Sequence, residues 1–404
     1  MAAESQFSNP SAPDQPRQLH GAAWLLALVP LLLLGVILTY LALTGGGLTE
    51  LSGPPVEQVV VQRVTLPEPG IIQLEIVNDG PQAVTIPQVQ VDDAYFMFDA
   101  DPSTTIPRLG RAIYTIYYPW VQDEAHAIKL LTSLGATFDA EVGVAVETPQ
   151  ISGNLFLQFG LIGLYVGIVP IFLGMLWYPF MRRLSVKAMN FVLALTIGLL
   201  VYLAVATWLD ANEFAAELPV FWQGIPLVIF TALLTLGILL AIGSLRGGKE
   251  TAPLGVSYRI AFGIGLHNLG EGLAIGAAFA SGEAALGTFL ILGFTLHNIT
   301  EGVGIAAPIV RKNPGLKHFA FLILLAGGPA ILGTWLGGFA FDPVLATIFL
   351  AVGIGAILQV IWEVGKLVSK DTQRLGEPII NWVNLGGLIT GIALMYFTAF
   401  MVKF

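Results

Sequence analysis

Nine stretches of this 404-residue chain are apolar enough to cross ~30 Å of hydrocarbon, which takes roughly 20 helical residues. They fall near 21–44, 155–180, 188–209, 219–245, 258–280, 284–310, 318–341, 343–367 and 381–402. Inside a bilayer every backbone polar group needs a partner within the chain, so such segments must pair their own backbones as helices. The sequence therefore predicts a polytopic α-helical membrane protein. Charged residues make up 11% of the chain, against about 25% in soluble domains. The 46 glycines suit membrane helices that pack closely. A soluble enzyme, a nucleic-acid binder and a disordered chain are excluded. With no cysteine, disulfides, iron–sulfur clusters and thiolate metal sites are excluded too.

The first stretch is too long for a typical cleaved signal peptide and has no small-residue cleavage site behind it, so it reads as an uncleaved signal anchor. Lys and Arg in the short connections set the orientation. With the N-terminus in the cytoplasm, the inner side receives Arg17, Arg182, Arg183, Lys187, Arg246, Lys249, Arg259, Arg311, Lys312, Lys317, Lys366, Lys370 and Arg374. The outer connections are acidic: Asp210, Glu213, Glu217, Glu283 and Asp342. Both signals place the N-terminus inside and the C-terminus outside a cell (inner) membrane.

Three parts follow: a tail and first anchor (1–54), an extracytoplasmic β domain (55–150) and an eight-span core (151–404). The β domain reads from the alternating runs VEQVVVQRV, GIIQLEIVN, AVTIPQVQV, AIYTIYYPW and FDAEVGVAVE, with a turn at Asn78-Asp79-Gly80-Pro81. About seven strands in a small sandwich are expected. A cupredoxin-like copper site fails on ligands, because the segment offers only His126 and Met97 and no Cys. Its acids outnumber Arg63, Arg108, Arg111 and Lys129, so it could concentrate cations or simply be a solvated face.

Charge at bilayer depth is costly, at least ~2.5–3.5 kcal/mol for a residue at a helix centre. Well inside the nine stretches stand only His267, Glu271, His297, Glu301 and Glu363. Four of them belong to LHNLGEGLAIGA (266–277) and LHNITEGVGIAA (296–307), which share Leu, His, Asn, Glu, Gly, Ile and Ala at matching positions. A short connection makes the two helices antiparallel, and so an inverted repeat of the kind that holds a transport site near mid-membrane. On each helix His and Glu lie about 40° apart around the axis and roughly 6 Å along it. Facing each other, the helices present two imidazoles, two carboxylates and two amides, a set that suits Zn²⁺ or Fe²⁺. Such an ion would offset the buried carboxylates. A lone buried His or Glu is as readily a bonded core residue; two H-N-x-x-E-G motifs in an inverted repeat fit that reading poorly. Glu363, near the cytoplasmic end of its stretch, is read equally as a metal contact, a snorkelling side chain or a partner of Lys366.

At these residues the sequence resembles the ZIP (Zrt/Irt-like protein) family of divalent metal importers, above all its bacterial members. The likeness covers residues 155–404 and rests on HNLGEG and HNITEG, where the family carries HNxPEG on its fourth core helix and a related motif on its fifth. The resemblance implies an eight-helix core with inverted repeats. It also implies His267, Glu271, His297 and Glu301 as the main metal ligands and Asn268 and Asn298 at an adjacent position. Asp210 and Glu363 would be accessory acids. Three departures stand out. Gly270 and Thr300 replace the motif prolines; Gly327-Gly328-Pro329 lacks the Glu of a second metal site; and 246–257 lacks the family's His-rich loop. One strong site is therefore expected, not a binuclear pair.

The expected activity is import of divalent transition-metal ions, zinc first, with iron or manganese as alternatives, and not catalysis. The metal is cargo and no cofactor is expected. Absence of GxxxxGK[ST] argues against direct ATP coupling. Two other readings stay open: an intramembrane metalloenzyme, weakened by the lack of HExxH, and a metal sensor or receptor on a degenerate carrier. The bilayer and the metal ion are the expected partners. A homodimer and a partner of the β domain are left open, and no nucleic acid is expected.

Overall fold

The computed structural model describes residues 21–44, 56–148, 152–245, 253–280 and 284–402. Arg17, Arg246, Lys249 and Glu283, used above for orientation, lie outside the described residues. Helix α1 (Gly21–Thr44) belongs to a separate compact unit, Met1–Val56. Its consecutive residues Leu31, Leu32, Leu33 and Leu34 are all exposed. Four successive positions cover the whole circumference of a helix, so α1 is apolar on every side, as contact with lipid requires.

In the other unit, ten short strands precede the remaining helices: β1 (Val59–Thr65), β2 (Ile71–Asn78), β3 (Val84–Thr85), β4 (Gln88–Val91), β5 (Ala94–Phe96), β6 (Phe98–Asp101), β7 (Thr105–Ile106), β8 (Arg111–Tyr117), β9 (His126–Leu131) and β10 (Thr137–Val142). They form antiparallel sheets ordered β1-β2-β8-β6 and β10-β9-β4-β5, with β3 and β7 paired apart. The count exceeds the expected seven because β3, β5 and β7 have only two or three residues each, too short to show alternation. Alternation decides the faces of the longer strands. Leu74, Ile76, Tyr114 and Ile116 from one sheet share a fully buried core with Val89, Val91, Ile128 and Leu130 from the other. Pro87, which has no N–H for a ladder, divides the run 83–91 into β3 and β4. At the turn after β2, the Asn78 side chain accepts from Gly80 N and donates to Gln82 O and Ile106 O.

Helix α2 (Gly153–Gly163) passes through a π-helical turn at Leu164–Ile168 into α3 (Val169–Met175), and α4 (Tyr178–Met181) follows. Then come α5 (Val186–Ala216), α6 (Gly224–Leu245), α7 (Pro253–Ala280), α8 (Ala284–Ala306), α9 (Leu316–Phe339), α10 (Pro343–Arg374) and α11 (Trp382–Val402). Ser152, Ser185 and Asp342 cap α2, α5 and α10 by accepting from the N–H three residues on. Among the described residues six helices are long and apolar enough to cross a membrane: Gly153–Met181, Val186–Ala216, Val220–Ser244, Leu286–Ile309, Leu316–Phe339 and Pro343–Arg374. Helix α7 is as long but not among them, since it carries Arg259, His267, Asn268 and Glu271. The protein is thus a mostly helical membrane protein with a small β region.

Two sets of helices are each drawn together by backbone contact. In one, α7 lies against α9, α2 against α9, and α3 against α8. A Cβ at Gly272 or Gly276 would collide with the carbonyl oxygen of Ala330 or Thr334, and one at Gly333 or Gly337 with that of Leu269 or Leu273. Only glycine permits such an approach. In the other set α5 packs on α11 and α10, and α6 on α10, with Gly198, Gly391 and Gly355 at the crossings. Between the sets, α7 meets α10 and α8 meets α5. There the nearest neighbour of a Cβ at each of Gly263, Gly270, Gly304 and Gly353 would be a side-chain atom, and no backbone atom would come closer than 3.3 Å.

Candidate metal centre

The two motifs meet where α7 and α8 cross. His267, Asn268, Glu271, His297, Asn298 and Glu301 are all buried, none more than 4% exposed. Spacing of four puts His267 above Glu271, and its Nε2 lies 2.8 Å from Glu271 Oε1. From α8, His297 Nε2 reaches the same oxygen at 2.6 Å. An ionised carboxylate only accepts, so both Nε2 atoms carry their protons toward it. Asn298 Nδ2 donates to the other oxygen, Oε2, at 3.2 Å. Glu271 is therefore held by three donors. The imidazole ring centroids are 6.5 Å apart and inclined at 38°, with Phe294 edge-on to His297.

Glu301 contrasts with it. Both of its carboxylate oxygens are buried and have no hydrogen-bond partner. Ligand atoms of Glu301, His267 and His297 all lie within 4.8 Å of one another, which leaves Glu271 outside this group of three. With each Nε2 donating, a neutral imidazole would leave its Nδ1 as a bare acceptor, and both Nδ1 atoms are unpartnered. So are Asn268 Oδ1 and Asn298 Oδ1. With neutral imidazoles and an ionised Glu301, all six orphaned side-chain atoms of the paired motifs would be acceptors. A buried acceptor without a donor carries a desolvation penalty of about 1–3 kcal/mol, and more when charged. What this group of atoms lacks is hydrogen-bond partners.

The asparagine amide nitrogens have a structural task. Pro170 has no N–H to return to Val166 O, and Asn298 Nδ2 donates to that carbonyl at 2.9 Å. In the other half of the repeat, Asn268 Nδ2 donates at 3.0 Å to Ala326 O, one residue beyond the Leu325 carbonyl that Pro329 leaves without a helical N–H. Each motif thus braces a proline-containing neighbouring helix. Facing α5, a crevice too narrow to hold a water molecule is lined by Thr196, Leu199, Leu200 and Leu203 together with His297, Thr300 and Glu301. The cluster lies at the seam between the two helix sets.

The accessory acids lie elsewhere. Asp210 is exposed near the end of α5. Glu363 accepts two hydrogen bonds from Arg259, from Nε to Oε1 and from Nη2 to Oε2, both at 3.1 Å. Lys366, the partner considered from sequence, sits 5.0 Å over the Trp362 ring. Arg259 was missed as a site neighbour because α7 begins at Pro253, five residues before the apolar stretch. Its spacing of eight from His267, two helical turns, was the available signal. No family model matches this chain, and no curated protein matches it.

Proposed function

We propose that this protein is a carrier that passes divalent transition-metal ions, zinc first, across a cell membrane through the His/Glu cluster between α7 and α8. The observation that carries the reading is the buried group of His267, His297 and Glu301 ligand atoms within 4.8 Å of one another, set among six buried side-chain atoms without a hydrogen-bond partner. His267, His297 and Glu301 would hold the ion, and Glu271 would complete the ligand set by turning from the imidazoles toward it. Nitrogen and oxygen ligands of this kind suit Zn²⁺, with Fe²⁺ and Mn²⁺ as competitors. Asn268 and Asn298 would keep the two helices aligned against α9 and α3.

The cluster's place at a seam supports alternating exposure of the ion to the two sides. One glycine-packed helix set would move against the other along side-chain contacts that slide more readily than interlocked backbones. In the orientation read from Lys and Arg, the β domain faces outward and transport runs inward. An inside-negative potential then favours a dication by about 4.6 kcal/mol per 100 mV, twice the ~2.3 for one charge. The ZIP-like, eight-span reading of residues 151–404 belongs to this proposal. The test is uptake by proteoliposomes offered Zn²⁺, Fe²⁺, Mn²⁺ and Cd²⁺ in turn. Uptake by the native chain and its loss in His297→Ala are expected, and a native chain that moves none of the four ends the proposal.

A further inference from the structure

From His267 a line of polar side chains, with glycines beside them, runs along the α7–α10 seam toward the start of α7. On α7 the positions are His267, Gly263 and Arg259; on α10 they are Gly353, Gln359 and Glu363. A Cβ at Gly353 would lie 3.4 Å from His267 Nδ1, so the line starts at the cluster itself. Gln359 is 2% exposed, and its Oε1 has no hydrogen-bond partner. A Cβ at Gly263 would lie 2.8 Å from that oxygen, so glycine is what leaves room for the amide. One helical turn further on, the forked Arg259–Glu363 pair joins the two helices. Its side chains are 19% and 7% exposed, against 2% for Gln359 and His267, so exposure rises along the line toward this end. Helix α6 contributes Gly243, where a Cβ would lie 3.5 Å from Arg259 Cδ and 3.8 Å from Glu363 Oε1. Three helices thus close around one ion pair, about 12 Å along the helix axis from His267.

The geometry points to Arg259–Glu363 as a latch between the two helix sets that seals the route from the His/Glu cluster to this end of the molecule, with the Gln359 amide oxygen as an acceptor waiting in the sealed space. The inference rests on the carrier reading for what travels the route. A fixed guanidinium supplies the Glu363 carboxylate with positive charge while the seam is shut. A dication leaving the cluster would meet the Gln359 oxygen next and then compete with Arg259 for Glu363. Opening the seam separates α7 from α10 and must break both hydrogen bonds of the fork.

The test uses the native absence of cysteine. Gln359→Cys places a single thiol behind the latch, and a charged methanethiosulfonate, which needs water to reach it, reports access. Modification should be at least tenfold faster when Arg259→Gln and Glu363→Gln are added, and slow again in the charge-swapped Arg259→Glu, Glu363→Arg background. Thr334→Cys, fully buried between α9 and α2, should stay unmodified in all three. Equal rates at position 359 with and without the pair overturn the latch. If the neutral pair exposes position 334 as well, it has unfolded the chain; the swapped pair then decides, slow labelling supporting the latch and fast labelling refuting it. Labelling needs no ion flux. A chain that transports nothing yet labels as described loses the carrier reading and keeps the latch.

Discussion

At the scale of single residues, the two glutamates of the repeat occupy matching sequence positions and unlike environments, and this gives opposite expectations for their amides. Glu271 accepts from two imidazoles and from Asn298. Glu271→Gln weakens three charge-assisted contacts, each worth about 1.5–3 kcal/mol. The metal-free protein should lose several degrees of thermal midpoint. Glu301 has no donor at either oxygen. Glu301→Gln should leave the metal-free midpoint unchanged or raised, while abolishing the rise that Zn²⁺ gives the native chain. That rise corresponds to about 2.7 kcal/mol at a hundredfold excess over Kd. Differential scanning fluorimetry with and without Zn²⁺ reads both, and equal loss of metal-free stability in the two variants would contradict the asymmetry. The repeat itself was legible, since His, Asn and Glu recur at one spacing in otherwise apolar text. The asymmetry was not, because it depends on which carboxylate the imidazoles of both helices turn toward. Nor was the pairing of Glu363 with Arg259 across a separation of 104 residues.

At the scale of elements, the strands with strict alternation and the long apolar helices could be read directly, because burial on one face or on all faces leaves its mark in the residue order. The π-helical turn at Leu164–Ile168 and the split of 83–91 into β3 and β4 needed the neighbours that satisfy the freed backbone. The β4–β5 hairpin shows the same dependence. Asp92 and Asp93 both take positive φ in its two-residue turn, as such hairpins demand. Asp92 also accepts from Tyr118 Oη, Ala127 N and His126 Nδ1. The Tyr118 hydroxyl above all, then Ala127 and His126, hold the Asp92 carboxyl below its usual range, against an opposing push from burial. The same bond raises the Tyr118 phenol to about 12. A depressed folded pKa stabilises above the unfolded value of about 3.9, and that contribution is lost as pH falls through the folded value. Amide protection over 88–131, relative to the intrinsic exchange rate at each pH, should therefore fall below about pH 4. Asp92→Asn, which tolerates the turn, should flatten that acid limb, and an unchanged limb would count against this account. Among the helices, Gly276→Ala should force α7 from α9 at the Thr334 carbonyl. Overpacking of this kind costs about 1–3 kcal/mol, measurable as a lower unfolding midpoint in detergent.

At the scale of the whole molecule, glycine placement divides the helices by how firmly each contact is locked. Within a set, carbonyl oxygens press on Cα atoms and a shift of one helix along another meets backbone; between sets, side chains can rearrange. If ions cross by motion of one set against the other, a covalent tie across the seam must stop transport without disturbing either set. Thr196 on α5 and Gly304 on α8 suit this test, because a Cβ at Gly304 would lie 3.1 Å from Thr196 Cγ2. Disulfides need Cβ atoms about 3.5–4.5 Å apart, and the chain has no native cysteine to interfere. Thr196→Cys with Gly304→Cys should carry Zn²⁺ into proteoliposomes when reduced, fall at least tenfold in rate on oxidation, and recover with reductant. Each single variant should be indifferent to oxidant. Zn²⁺ should still raise the thermal midpoint of the oxidised protein, since the tie leaves His267, His297 and Glu301 in place. Uptake that continues at full rate through a quantitatively formed disulfide would mean that the ion passes without relative motion of the two sets. The route would then have to be a continuous pore, and the cluster a constriction along it.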